Sequence, residues 1–160
     1  MSTTGQGASR PRRLSPRHAL AADEQQVWIG FGGQADQGWL RLLRPGFRHC
    51  FAVLRDQAGW TLVEPLTGRL LVTRAELAAD FDLPGFYRRA GLAVVGPFRP
   101  GPPAARSWGP GIRLYSCVVV CRALLGEGAP RAFTPHGLYR ALVNEALNRK
   151  IIIDAVLPTG

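Results

Sequence analysis

Two strand-forming runs joined by a short polar turn are the feature that most restricts the fold of this chain. Residues 47–54 read Phe-Arg-His-Cys-Phe-Ala-Val-Leu and residues 60–64 read Trp-Thr-Leu-Val-Glu, with Arg-Asp-Gln-Ala between them at 55–58. Aromatic and β-branched residues at this density, interrupted by a polar turn, are typical of an antiparallel hairpin. Because an isolated hairpin is marginally stable, the rest of the chain is expected to extend and cover it.

Further strand and turn signals extend the hairpin into a meander. The run Val-Trp-Ile-Gly-Phe at 27–31 stops at Gly32 and Gly33, and Thr67-Gly68 forms a turn after the hairpin. Strands, then helices, then a last strand indicate an α+β fold, in which an antiparallel sheet packs against two to three helices. The other predicted elements are a helical turn at 39–44, strands at 69–73, 92–95 and 151–157, and a connection at 77–89 with a short helix near 86–90.

Two helices are predicted in the C-terminal part of the chain. Three valines at 118–120 favour a strand, but Ser116 as a cap and Gly126 as a stop favour a helix, and we predict the helix. Thr134-Pro135 opens the second helix. Its apolar side and its basic C-terminal end are expected to consist of Leu138, Leu142, Leu147, Arg149 and Lys150.

Composition divides the chain into an arm and one domain. Residues 1–22 mix Ser, Thr, Gly, Pro and Arg without an apolar period, which predicts a disordered Arg-rich arm. Residues 23–160 are long enough for a single α+β domain without disulfides or a structural metal. Within that domain, residues 96–111 hold five prolines and four glycines, which predicts a mobile loop.

The net charge of +9 is the one compositional sign of a polyanionic partner. The basic residues are 19 Arg and one Lys, and four of the Arg lie in residues 1–22 with no acid beside them. Because no single-strand binding surface or helix-turn-helix stands out, we expect no nucleic-acid partner. An odd number of cysteines, no secretory signal and no apolar run near about 20 residues predict a cytoplasmic protein without a membrane span.

His49 is the first candidate for chemistry. Side chains two apart on a strand share a face, so His49 points with Phe51 and Val53, while Cys50 points the other way. Cys50 is therefore expected to be a small buried apolar residue. A histidine among apolar strand residues is, by itself, more often structural than catalytic.

Glu64 is predicted to be the partner of His49. With a two-residue turn, His49 and Glu64 lie on one face of the sheet as diagonal neighbours, whereas a three- or five-residue turn places them on opposite faces. A carboxylate at this place would orient the imidazole and stabilise its cation. The alternative is a solvent-exposed Glu before Pro65. With a four-residue turn at 55–58, the pairs are Leu54 with Gly59, Phe51 with Leu62 and His49 with Glu64.

Cys117 is the candidate nucleophile. It follows the predicted cap Ser116, so its sulfur would face backbone N–H groups and the positive end of a helix. These conditions lower the pKa of a thiol, and the same N–H groups can hold an oxyanion. Cys121, one turn further, is expected in the core, and with Cys117 and His49 it makes only a weak zinc site. We therefore predict no metal and no cofactor.

The order of these residues resembles a known superfamily. A strand with His, a following strand with an acid, and much later a helix that opens with Cys are similar to the circularly permuted branch of the papain-like cysteine peptidases. This branch includes NlpC-type cell-wall hydrolases and the lecithin retinol acyltransferases. The matching parts are Gly-Phe-Arg-His-Cys-Phe-Ala-Val at 46–53 and Ser-Cys-Val-Val-Val-Cys-Arg at 116–122. Residues 39–46 also resemble the segment before such a His in small bacterial and phage-derived proteins.

The resemblance implies a function for each of the three residues. Cys117 would be the nucleophile, His49 the base and Glu64 the orienting residue of a thiol hydrolase or acyltransferase. It implies peptide amides of peptidoglycan as the first substrate and lipid acyl groups as the second. The alternative is a non-catalytic module of the same fold, used for binding or as a component of a phage particle.

Overall fold

The structure, a computed structural model, describes residues 25–32, 45–78, 80–103 and 116–148. Several predictions lie outside these residues. They are the disordered arm at 1–22, the helical turn at 39–44, residues 104–111 of the mobile loop predicted at 96–111, and the last strand at 151–157.

Within the described residues, the chain forms an antiparallel sheet of five strands in the order β4-β3-β2-β1-β5. The predicted α+β class is therefore confirmed. The strands are β1 (Gln26–Gly32), β2 (His49–Asp56), β3 (Gly59–Leu66), β4 (Arg69–Ala75) and β5 (Ala93–Phe98), and the helices are α1 (Leu83–Arg89), α2 (Cys117–Leu125) and α3 (Pro135–Asn148).

Helices cover the sheet on both faces. On one face, α2 and α3 bury a large core, with Cys50 and Ala52 of β2 packed with Val118 and Cys121 of α2. On the other face, the segment around α1 buries a smaller core that includes Phe51 and Val53. β1 and β2 are buried on both faces, which explains why both read as nearly continuous apolar runs.

The turn between β2 and β3 has two residues rather than the four predicted. The strands pair Asp56 with Gly59 and Val53 with Leu62, so the predicted pairing of Phe51 with Leu62 is wrong by two positions. The Asp56 side chain accepts a hydrogen bond of 2.9 Å from the backbone N–H of Ala58, and this interaction stabilises the tight turn. A shift by two residues keeps every side chain on its predicted face.

β5 continues beyond the predicted end of the strand. Residues 96–98 were expected in the loop, yet the strand runs through Pro97 to Phe98. Within the described residues, β5 lies at the edge of the sheet and pairs only with β1, and the register of this pair shifts between Val27 and Ile29. Edge strands and irregular pairings tolerate proline because no ladder hydrogen bond needs its missing N–H.

Hydrogen bonds fix both ends of α2. The Ser116 side chain caps the first turn by accepting from the backbone N–H of Val119, as predicted. After the helix, Gly126 has a φ of 80°, a left-handed conformation that favours glycine. The chain that follows β5 lies against this end, because Gly101 N–H donates to the Leu125 carbonyl at 2.9 Å and Glu127 N–H donates to the Pro102 carbonyl at 2.7 Å.

α3 buries a different set of residues from the predicted one. Leu138, Leu142 and Ala146 are buried, whereas Leu147 is 62% exposed. Residues four apart share a helix face, but Leu147 follows Leu142 by five residues and therefore points elsewhere. In the described part of the chain, no helix has the length and apolar character needed to cross a membrane.

These two leucines allow a matched test of the core. Leu138 is fully buried, so Leu138→Ala should lower the free energy of unfolding by about 2–5 kcal/mol. Leu147→Ala removes the same atoms from the exposed side and should change it by no more than about 0.5 kcal/mol. Urea unfolding of both variants gives the comparison. Equal losses would mean that α3 packs on a different face.

Candidate active site

The candidate site lies where β2 begins. Gly46 has a φ of 80° and lets the chain turn directly before the strand. The backbone N–H of Arg48 then donates to the Gly32 carbonyl at 3.0 Å, which aligns the start of β2 with the end of β1. His49 is thus the first residue of the central strand, at the end of the sheet.

His49 and Glu64 share a face of the sheet. Extending the observed register by one residue places Glu64 opposite Phe51, so His49 and Glu64 are diagonal neighbours. His49 Nε2 lies 4.0 Å from Glu64 Oε1, and the side chains are 20% and 34% exposed. This distance allows an ion pair but is longer than the hydrogen bond we predicted.

Cys117 reaches His49 from the opposite layer. Its thiol lies close enough to the His49 imidazole and to the Cys50 thiol for both to shift its pKa, and Cys50 faces α2. Adjacent residues of a strand point to opposite faces. The Cys117 sulfur can lie near both His49 and Cys50 because these two residues begin β2. The structure thus brings together the three residues selected from the sequence.

The ionisation of Cys117 differs from the prediction. We expected a lowered pKa, but the hydrogen bond with Cys50 and burial raise the pKa of this thiol, against the lowering effect of the hydrogen bond with His49. The helix start does not compensate, because the thiol lies among apolar groups that disfavour the thiolate. Cys117 is accordingly a neutral thiol at pH 7.

Cys50 and Cys121 form a buried thiol cluster with Cys117. Both are fully buried, as predicted. The pKa of Cys50 is lowered by its hydrogen bond with Cys117, but the hydrogen bond with Cys121 and burial outweigh this effect and raise it. Sequence reasoning missed this contact, although the facing of Cys50 away from His49 indicated that it would meet the covering helix.

A cleft of about 450 Å³ adjoins the pair of His49 and Glu64. Its apolar walls include Phe51, Leu62 and Tyr87, and Cys117 is not among the described residues that line it. The Tyr87 ring meets Phe51 edge-on at a centroid distance of 5.0 Å. Burial and the negative charge of Glu64 raise the pKa of Tyr87.

The described residues do not form a metal site. Among the described residues, no three His, Cys, Asp or Glu side chains are grouped so that they could hold a metal. His136, in the first turn of α3, is partly buried, with its ring 5.2 Å from that of Phe47.

Thiol labelling tests the ionisation of Cys117. Cys50 and Cys121 have no exposed surface, so iodoacetamide should label Cys117 alone, at a rate that rises with pH to above the usual thiol pKa of about 8.5. Cys50→Ala removes the largest raising interaction, so the midpoint should fall to lower pH, whereas Cys121→Ala should leave it nearly unchanged. A rate that is already constant below pH 7 in the parent protein would contradict the neutral thiol.

Comparison with known proteins adds no family to this geometry: no family model, curated protein or solved structure matches the chain. The papain-like permutation therefore stays a prediction from the residues and their arrangement.

Proposed function

We propose that this chain is a thiol hydrolase or acyltransferase that acts on amide bonds. Cys117 is the nucleophile, His49 the general base and Glu64 the residue that orients His49. The observation that supports the proposal best is the closeness of the His49 imidazole to both partners: it lowers the pKa of the Cys117 thiol, and its Nε2 lies 4.0 Å from Glu64 Oε1. This is the arrangement of nucleophile, base and orienting acid that acyl transfer needs.

The neutral thiol defines how the first step proceeds. As the Cys117 sulfur forms a bond to the carbonyl carbon, its proton passes to His49, because no preformed thiolate is available. Glu64 stabilises the resulting imidazolium. When the tetrahedral intermediate collapses, the carbon–nitrogen bond breaks, and His49 returns the proton to the leaving amine.

The second step releases the acyl group. Water, or another hydroxyl or amine, gives a proton to His49 and attacks the thioester carbon, and the carbon–sulfur bond breaks. The sulfur then recovers the proton from His49. In both steps the backbone N–H groups of Cys117 and Val118 stabilise the oxyanion, since that of Val119 is engaged by Ser116.

The cleft beside His49 and Glu64 is the proposed place for the acyl part of the substrate. Its volume of about 450 Å³ is within the usual range for small ligands. Peptidoglycan peptides are the substrate that the family resemblance suggests first, and lipid acyl groups are the second. A substrate carbonyl next to His49 would lie at the polar end of the cleft.

A second candidate function is a non-catalytic module that binds a ligand in the same cleft. Two observations favour it: the raised pKa of Cys117, and the absence of this residue from the described lining of the cleft. Such a module would keep the fold and the cleft, with Cys117 as a structural residue. A component of a phage particle is one setting for it.

Activity assays separate the two candidates. Purified peptidoglycan, with released amines as the readout, and an activated ester are the substrates. For an enzyme, Cys117→Ser should abolish turnover, and His49→Ala should lower kcat/KM by about 10²–10⁴-fold. Glu64→Gln should cause a smaller loss. His136→Ala is the matched histidine control. Equal activity of the parent protein and Cys117→Ser would exclude the thiol mechanism and favour the non-catalytic binding module.

A second test addresses the cleft. Ala90 is exposed at its rim, so Ala90→Trp should partly fill the cleft and weaken binding of soluble peptidoglycan fragments by about tenfold. Calorimetry on the Cys117→Ser protein measures binding without turnover. Ala58→Trp, in the turn at the far end of the hairpin, is the matched control. Equal affinities of the two variants would exclude the cleft as the binding site.

A further inference from the structure

Three free thiols meet at the interface of β2 and α2. Cys50 and Cys121 belong to one buried core cluster, and Cys117 packs against that cluster. Both Cys117 and Cys121 lie close enough to Cys50 to shift the pKa of its thiol. Acyl transfer needs only one of these sulfurs. The other two are buried nucleophiles without a part in that chemistry.

The thiols differ in access to solvent. Cys50 and Cys121 have no exposed surface, whereas Cys117 is partly exposed at the start of α2. A small oxidant from solvent therefore meets Cys117 first. A second thiol, that of Cys50, lies close enough to shift the pKa of Cys117.

Geometry selects Cys50 over Cys121 as the partner. Cys117 and Cys121 are four residues apart on one helix, where Cβ atoms lie about 5–6 Å apart. A disulfide needs a Cβ separation of about 3.5–4.5 Å. Cys50 instead lies on the facing strand, in the core cluster against which Cys117 packs, so no helix spacing holds the two sulfurs apart.

We propose that Cys50 is the resolving thiol of Cys117, and that oxidation of Cys117 by a peroxide ends in a disulfide between these two residues. In the first step, the Cys117 sulfur attacks one peroxide oxygen, the oxygen–oxygen bond breaks and water leaves, which yields a sulfenic acid. In the second, the Cys50 sulfur attacks the Cys117 sulfur, the sulfur–oxygen bond breaks and a second water leaves. Two thiols and one hydrogen peroxide thus give one disulfide and two waters.

The disulfide would have two effects on the site. The Cys117 sulfur could no longer attack a carbonyl, so the acyl-transfer site would be inactive until a dithiol reduced the disulfide. The disulfide would also protect the Cys117 sulfur from irreversible oxidation to a sulfinic or sulfonic acid. The disulfide itself does not depend on the acyl-transfer activity, so the two proposals can fail separately.

Peptide mapping of the full chain tests the pair without any variant. The reduced protein is treated with hydrogen peroxide, blocked with iodoacetamide and digested with trypsin. Cleavage after Arg leaves Cys50 in the peptide 49–55, and Cys117 with Cys121 in the peptide 114–122. The expected product is these two peptides joined by a disulfide that tandem fragmentation assigns to Cys117, and dithiothreitol should remove it. A linkage to Cys121, a disulfide between two chains, or sulfinic acid at Cys117 with Cys50 free would overturn the proposal.

Variants then define the part of Cys50. In Cys50→Ala, dimedone, which traps sulfenic acids, should label Cys117 at least about tenfold more than in the parent protein. Cys121→Ala is the matched buried control and should still form the disulfide. If Cys50→Ala does not fold, the peptide map of the parent protein alone decides the outcome. Equal dimedone labelling in the parent and in folded Cys50→Ala would contradict a resolving thiol.

Discussion

The alternation of side chains along β2 is the constraint on which the rest of the structure depends. β2 is the central strand and is covered on both faces, so neighbouring residues belong to different layers. His49 faces the layer of α1 with Glu64, and Cys50 faces the layer of α2. A residue from α2 can reach His49 only where the strand begins, and Cys117 stands at that place because α2 begins there as well.

Much of the fold and of the site follows from local sequence. The hairpin, the cap at Ser116 and the stop at Gly126 are set by turn chemistry and capping within a few residues, and they were predicted. The shared face of His49 and Glu64 was predicted as well, because a shift of two positions leaves the parity of a strand unchanged. Contact between Cys117 and His49 was expected only from the family resemblance, since their separation in sequence gives no local signal.

The remaining differences depend on tertiary contacts. The length of the turn at Asp56 is decided by a side-chain hydrogen bond, and the strand through Pro97 by its position at the edge of the sheet. The ionisation of Cys117 depends on what surrounds the thiol, and its strongest influence, Cys50, comes from a strand more than sixty positions earlier. Local motifs carry no information about such a neighbour.

Two hydrogen bonds join Gly101 to Leu125 and Glu127 to Pro102. Because of them, the position of α2 does not depend on the segment that precedes the helix. The chain after β5 is fixed to the C-terminal end of the helix, and packing on β2 fixes the helix itself. The start of α2, which carries Cys117, is therefore held by contacts that lie outside residues 104–115. A change in the length of that segment would leave these contacts, and the position of Cys117 beside His49, in place.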